Sequence, residues 1–319
     1  MATCGTVRDM NLSRMREYML VYRRVRVADA ARDTGMSIPT ASKLIADLVE
    51  SGEMKEVGCC ASTGGRCAMV YEINPDYLSY LLLRVEAGHY SFQVRDYTGE
   101  CLESGSFDAG ENAPEQIGSL AAQIRERYPN LRGACMGVSA FVSGSCAQPS
   151  GLPSAPTGPD FCGRFEQIAG VPFIMENDVN TVALARWKQC ELQSGCIVCL
   201  HKQGVGLVID GKIWRGKNGL PGEINMFRPL KNANLWSAQS DPSFYYAFTA
   251  GVYAVTLDPD LIVIYTPEGE AACDQLAVQR LLEMQIAPEY VPAIISSADW
   301  NEDYWQGLDM QMRAHLGIC

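Results

Sequence analysis

The chain has 319 residues, 47% apolar and 20% charged, with a mean hydropathy of −0.05 and a formal charge of −11. This balance supports packed cores and excludes global disorder. No run of about 18 apolar residues is present, which excludes a transmembrane helix. Arg8, Asp9, Arg14 and Arg16 interrupt the N-terminus before any signal-peptide core, so the expectation is a soluble, cytoplasmic protein. Residues 1–70 hold 10 Lys/Arg against 8 Asp/Glu, or +2, and the remainder carries −13. An acidic body behind a slightly basic N-terminal segment excludes nucleic-acid binding spread over the whole chain and permits it through that segment alone.

Leu12, Met15, Met19 and Tyr22 recur at helical spacing, which predicts a helix over 11–22. A second, short helix is expected over Val27–Thr34, then a turn at Gly35-Met36. Ser37 suits an N-cap and Pro39 a first helical turn. A third helix follows, with Ala41, Leu44, Ile45, Leu48 and Val49 on one face and a glycine stop at Ser51-Gly52. Glu53–Val57 and the alternating Cys67, Met69, Tyr71 and Ile73 predict a hairpin whose tip is Ser62-Thr63-Gly64-Gly65-Arg66. This is the outline of a winged helix-turn-helix. The start of the third helix would expose Pro39, Thr40, Ser42 and Lys43, side chains of a size to approach a major groove. Arg66 at the wing would enter a minor groove or hold a phosphate. The alternative is a small helical interaction domain with a solvated face.

After Asn74-Pro75 the pattern changes. Strands are expected at Leu81–Glu86, Ser91–Asp96 and Glu100–Phe107, a helix around Ile117–Ile124, a strand at Ala134–Phe141 and a loop at 150–160. Phe173–Met175 is a short strand running into Glu176-Asn177-Asp178, then a helix over Val179–Cys190. Cys196–Leu200 and Val205–Ile209 are strands, and Asp210-Gly211 is a type I′ hairpin signal leading into Lys212–Trp214. A helix near Phe244–Leu257, a strand at Leu261–Tyr265, a helix near Ala271–Met284, a strand at Val291–Ser296 and a helix near Asp303–His315 complete the chain. The order implies an α/β lobe with a second one beginning near residue 195.

Cysteine is abundant, at 13 residues, but its placement does not point to metal or redox chemistry. Cys196 and Cys199 have CxxC spacing inside an expected strand, where residues three apart face opposite sides. Buried thiols are the expectation there, and also for Cys59, Cys60 and Cys67, which have no neighbouring histidine.

At several of these segments the chain resembles the repressor/ORF/kinase (ROK) family of transcriptional regulators and sugar kinases. Residues 35–43 resemble the family repressors' recognition helix, Ser62–Arg66 their wing and Glu72-Ile73-Asn74-Pro75 the exit from it. Residues 172–180, Pro-Phe-Ile-Met-Glu-Asn-Asp-Val-Asn, resemble the segment bearing the family's catalytic aspartate. Residues 209–219 followed by Gly222-Glu223-Ile224 resemble its hairpin and sugar-site glutamate. The resemblance spans most of residues 10–228 and weakens after Arg228.

It implies an α/β fold: an N-terminal winged helix-turn-helix over 1–74, then a two-lobed actin-like (ribonuclease H-like) sugar-kinase body. The lobes are expected over 75–190 and 191–319, the second shortened, with the closing helix a candidate to return to the first. Asp178 matches the base that takes a proton from a sugar hydroxyl. Asn177 and Glu223 match groups that hydrogen-bond the sugar, and Thr157 stands where the family often has a sugar-contacting Asn. Read without the resemblance, Asp178 could equally cap the Val179–Cys190 helix and Glu223 could be a surface acid.

Several family motifs are altered. The kinases' first phosphate loop is replaced by Arg84-Val85-Glu86-Ala87-Gly88-His89, and the second by Leu200-His201-Lys202 with only Gly204 and Gly206 left. Phosphate cradling needs close backbone approach, which side chains obstruct. Phe141-Val142 and Tyr265-Thr266-Pro267 replace two further glycine-bearing turns. The family's zinc histidine is replaced by Asn225-Met226, and no cysteine cluster follows. The expectation is therefore a repressor that binds a duplex DNA operator, without enzymatic activity, metal or cofactor. It would form a homodimer or higher homo-oligomer and sense a small sugar or sugar phosphate. The alternatives are an active ATP-dependent hexose kinase and a DNA-binding oligomer without ligand.

Overall fold

The N-terminal helix-turn-helix is assembled from local signals. In the computed structural model, which describes residues 4–59, 68–86, 88–108, 113–143, 146–148, 161–224, 242–266 and 275–318, α1 spans Cys4–Tyr22, α2 Val27–Thr34 and α3 Ile38–Glu50. Gly35 ends α2 at φ 70°, a left-handed conformation that costs glycine little. The Ser37 hydroxyl caps α3 by accepting from the Thr40 N–H at 3.3 Å. Strands β1 (Arg24–Val25), β2 (Met54–Cys59) and β3 (Met69–Ile73) form a sheet of order β1-β3-β2. Met15, Met19, Ala30, Ala31, Leu44, Ile45 and Leu48 make the core of this head. The wing tip, residues 60–67, lies outside the described residues.

The body contains one topology twice. In the first lobe β4 (Ser79–Glu86), β5 (His89–Asp96) and β6 (Cys101–Asp108) form an antiparallel meander. Helix α4 (Ala113–Arg127) then leads to β7 (Leu131–Val138), parallel to β4. A small hairpin, β8 (Phe141–Ser143) and β9 (Cys146–Gln148), precedes α5 (Phe161–Ala169) and β10 (Phe173–Asn177), which runs parallel to β7. The sheet order is β10-β7-β4-β5-β6.

The second lobe repeats this arrangement. Strands β11 (Cys196–His201), β12 (Gly204–Ile209) and β13 (Lys212–Ile213) are the meander. Helix α7 (Pro242–Leu257), β14 (Leu261–Tyr265), α8 (Gln275–Glu283) and β15 (Ala293–Ser297) follow, and the order is β13-β12-β11-β14-β15. Asp210 and Gly211 both have positive φ, 48° and 75°, as the type I′ turn requires.

Two helices cross between the lobes. Helix α6 (Asp178–Gln189) leaves the end of β10 and packs on β11 and β12 of the other sheet. Helix α9 (Trp300–His315) leaves β15 and packs on β7 and β4 of the first sheet, and against α6. A Cβ at Gly307 would fall on the Thr181 carbonyl, so glycine permits the close α6–α9 crossing. Val182, Ala183, Tyr304, Leu308 and Met312 share one core with residues of both sheets.

Two sequence expectations need correction. The strand expected over Ala134–Phe141 ends at Val138. There the chain bends, and the Ala140 carbonyl accepts from Asn177 Nδ2 at 3.2 Å instead of continuing a ladder. Helix α5 was not expected at all, although Phe161, Cys162, Phe165 and Ala169 lie on its buried side. Cys196 and Cys199 do go to opposite faces of β11, into two different cores. Burial pushes the Cys196 thiol up to about 11, so it is held as an unreactive thiol.

Candidate nucleic-acid interface and interlobe site

The outer face of α3 presents Pro39, Ser42 and Lys43 to solvent. Thr40 is half-buried, and its hydroxyl lies 2.8 Å from that of Ser37, so it supports the cap as well as the surface. Most cations of the head are paired: Arg8 with Asp47, Arg24 with Glu72, Arg26 with Asp29, Arg32 with Asp29 and Asp33, and Lys55 with Asp76. Lys43 has no carboxylate partner among the described residues and keeps its charge available at the helix surface. Arg66, the expected wing contact, lies outside the described residues.

The head is joined to the body at Glu53, which is 4% exposed. Arg16 grips both carboxylate oxygens at 2.8 Å, and the Tyr97 hydroxyl donates at 2.6 Å from the β5–β6 turn. Arg16 also donates to the Gly317 carbonyl at 2.9 Å, just beyond α9. Burial works to raise the Glu53 carboxyl, but Arg16, Tyr97 and Ser51 outweigh it and hold it below the usual carboxylate range.

Between the lobes, Asp178 opens α6 and is 8% exposed. Its Oδ1 accepts from the Val179 N–H at 2.8 Å. Burial pushes its carboxyl up to about 7. The Val179 N–H and Ser139 pull the other way, and the charges of Glu86 and Glu223 add to the rise. Burial also raises Glu223. Asn177 is the N-cap of α6: its Oδ1 accepts from the Asn180 N–H at 3.0 Å while its Nδ2 is held by Ala140. Asn177 thus spends one bond from each amide atom on local structure, and each atom keeps capacity for a second. Glu176, 3% exposed, pairs with Arg215 from beyond the second-lobe hairpin. Thr157 lies outside the described residues.

Sequence reasoning missed the aromatic residues of α9. Trp300 is 2% exposed and donates from Nε1 to Glu86 at 3.2 Å, while its ring lies 4.1 Å from that of His201. Glu86 ends β4 and His201 ends β11, the two places where the altered phosphate loops were read. One indole therefore bridges them. Four residues on, Tyr304 is fully buried against Gly137, with the Arg84 guanidinium 5.1 Å from its ring. Its hydroxyl has no hydrogen-bond partner among the described residues, and the charge of Asp178 acts on it. The spacing of Trp300, Tyr304 and Leu308 along one helix was the available signal. Gly206, read as a phosphate-loop remnant, has a packing role: a Cβ there would fall on the Val179 carbonyl of α6.

Among the described residues no helix is long and apolar enough to cross a membrane. Residues 83–229 match the ROK family. The xylose repressor of Staphylococcus xylosus is 24% identical over 208 residues, covering 61% of this chain and 54% of that protein. The xylose repressor of Caldicellulosiruptor bescii is 24% identical over 199 residues, covering 58% and 50%. The chain thus spans about half the length of these curated relatives. Among solved structures, a ROK family transcriptional regulator described as a homologue of the E. coli MLC protein covers 98% of this chain and 97% of its own, with a TM-score of 0.67 and 14% identity. A ROK family protein from Streptococcus pneumoniae in complex with sucrose covers 75% and 100%, with a TM-score of 0.52 and 16% identity. The fold is thus a helix-turn-helix head followed by a two-lobed α/β body similar to that of solved ROK family proteins, and residues 83–229 are similar to the ROK family.

Proposed function

We propose that the chain is a DNA-binding transcriptional repressor of the ROK type. Residues 1–74 serve as its DNA-binding head, and 75–190 and 191–319 as the two lobes of a body that does not phosphorylate sugars. The observation that carries this reading is the capped α3 helix with exposed Pro39, Ser42 and Lys43, the last without a carboxylate partner among the described residues. A cation and short polar side chains on the first turns of such a helix suit a major groove and its phosphates. The repressor names of the two curated relatives support it. The partner is a duplex operator, which places the protein in the cytoplasm, and two-fold operators favour a homodimer or higher homo-oligomer.

The absence of kinase chemistry is supported by Trp300, which occupies the space between the ends of β4 and β11. Phosphoryl transfer relies on positioning and charge stabilisation of the phosphate, and an indole packed at a tilt against His201 supplies neither. Asp178 and Glu223, with the buried Tyr304 hydroxyl beside Asp178, remain as polar groups for a small polyol or sugar phosphate. Xylose is the first compound to test.

Operator selection from a random duplex pool, followed by binding over a salt series, tests the DNA reading. Lys43→Ala should weaken binding and lower the salt slope by about one. An unchanged affinity and slope would overturn the assignment of this face. A coupled assay with hexoses, xylose and ATP should show no sugar-dependent ADP; ADP formation lost in Asp178→Asn would restore the kinase reading. A thermal-shift screen decides the effector: a hit that is lost in Glu223→Ala and alters operator affinity supports sensing, and silence favours the ligand-free oligomer.

A further inference from the structure

Helix α1 has two apolar faces. Met15 and Met19, with Leu12 partly buried beside them, pack into the head. On the opposite side Val7, Met10 and Val21 are 48%, 61% and 73% exposed. Arg14 and Glu17 are exposed between them; Arg14 Nη1 donates to the Thr34 carbonyl at 3.3 Å, and neither residue has an ion-pair partner among the described residues. The order Val7, Met10, Arg14, Glu17, Val21 has the alternating three- and four-residue spacing of a coiled-coil seam. A groove of about 570 Å³ between α1 and α2 borders this face, with Val21 and Tyr22 on its α1 side.

The seam is complementary to itself when reversed. If a second α1 is laid antiparallel across a two-fold axis between residues 15 and 16, Arg14 meets the second copy's Glu17 and Glu17 its Arg14. In the same register Met10 meets the second copy's Val21, at the edge of the groove, and Val21 its Met10. Two apolar contacts then flank two opposite-charge contacts. A parallel pairing would place Arg14 beside Arg14 and Glu17 beside Glu17, which like-charge repulsion disfavours. We propose that α1 is a self-association surface: two copies of this chain pair their α1 helices antiparallel through Met10, Arg14, Glu17 and Val21. The proposal rests on the homo-oligomer part of the proposed function and is separate from its DNA part, because the pairing is measured without DNA and lies on a different helix from Lys43.

The test uses the full chain in two measurements. In sedimentation equilibrium, Arg14→Glu and Glu17→Arg should each weaken dimerisation by at least about tenfold, and the double exchange should restore it. In the second, benzoylphenylalanine replaces Met10 and is photoactivated. The cross-linked dimer should map to residues 18–24 of the other copy. The pairing is overturned if wild type is monomeric at tens of micromolar, if the single exchanges match wild type, or if the double exchange stays as weak as the singles. Cross-links to another segment, or none, overturn it as well.

Discussion

Tyr97, in the turn after β5, donates a 2.6 Å hydrogen bond to Glu53, the residue that leads from α3 into the wing hairpin. Arg16 on α1 completes the cluster and reaches the Gly317 carbonyl beyond α9. Because α9 begins with Trp300 at the interlobe site, one helix connects the residues around Asp178 to the base of the head.

Removing the Tyr97 hydroxyl leaves Glu53 buried with one donor fewer. Tyr97→Phe should cost about 1.5–3 kcal/mol, the range for a hydrogen bond to a charged group. Urea unfolding checks this.

The Glu53 carboxyl titrates lower in the fold than in the unfolded chain, where its pKa is 4.5. Its contribution is therefore complete above the unfolded value and is lost as pH falls through the folded one. Glu53→Gln should be less stable than wild type at pH 7, and its melting temperature should fall less on acidification below pH 4.5.

Asp178 has the opposite sign. Its carboxyl moves from 3.8 to about 7 on folding, so the folded state holds a proton that the unfolded state releases. Stability should fall as pH rises from about 4 to about 7, by up to about 1.4 kcal/mol per pH unit, and level off above. Asp178→Asn keeps an acceptor for the Val179 N–H and should flatten this slope, melting above wild type at pH 8. Calorimetry across pH 4–8 reads the difference.

On the second-lobe side of the crossing, Asp303 of α9 is 1% exposed in its side chain and pairs with Arg186 of α6 at 2.7 Å. The Tyr265 hydroxyl also donates to it, and Gln189 Nε2 does so at 2.5 Å. Asp303→Ala leaves the Arg186 guanidinium with Asp299 at 3.7 Å and the Tyr265 and Ser297 hydroxyls, removes its buried carboxylate partner, and should cost about 3 kcal/mol, the low end for breaking a buried pair. The double variant Arg186→Met, Asp303→Leu should cost less than the sum of its single changes, in a double-mutant cycle from urea unfolding.

A Cβ at Gly137 would clash with Cε2 at the edge of the Tyr304 ring. Gly137→Ala should therefore destabilise by about 1–3 kcal/mol through overpacking. The same change should cost less in a Tyr304→Ala background, measured by urea unfolding.

The sequence by itself determined the local elements, because their signals act over a few residues. Ser37 and Pro39 set the start of α3, Asp210-Gly211 set the hairpin, and the alternation of Tyr90, Phe92 and Val94 marked the buried face of β5. The same short range marked Asp178 as a helix start, while the sugar-site reading of Asn177 and Asp178 came from the family resemblance. Helix α5 was missed because a nine-residue apolar pattern bounded by a Gly-, Pro- and Ser-rich stretch gives a weak periodic signal.

Only the tertiary structure decided the rest. Trp300 meets Glu86 across 214 positions of sequence, and Arg16 reaches Gly317 across 301. Such contacts depend on how α6 and α9 cross between two sheets of the same topology. Side-chain size and burial at that crossing select them, and no local spacing encodes those. Packing also ties Asn177 to Asn180 and, across the bend after β7, to Ala140. It raised the Asp178 carboxyl by enclosing it beside Glu86 and Glu223, which come from a strand of the first lobe and a turn of the second.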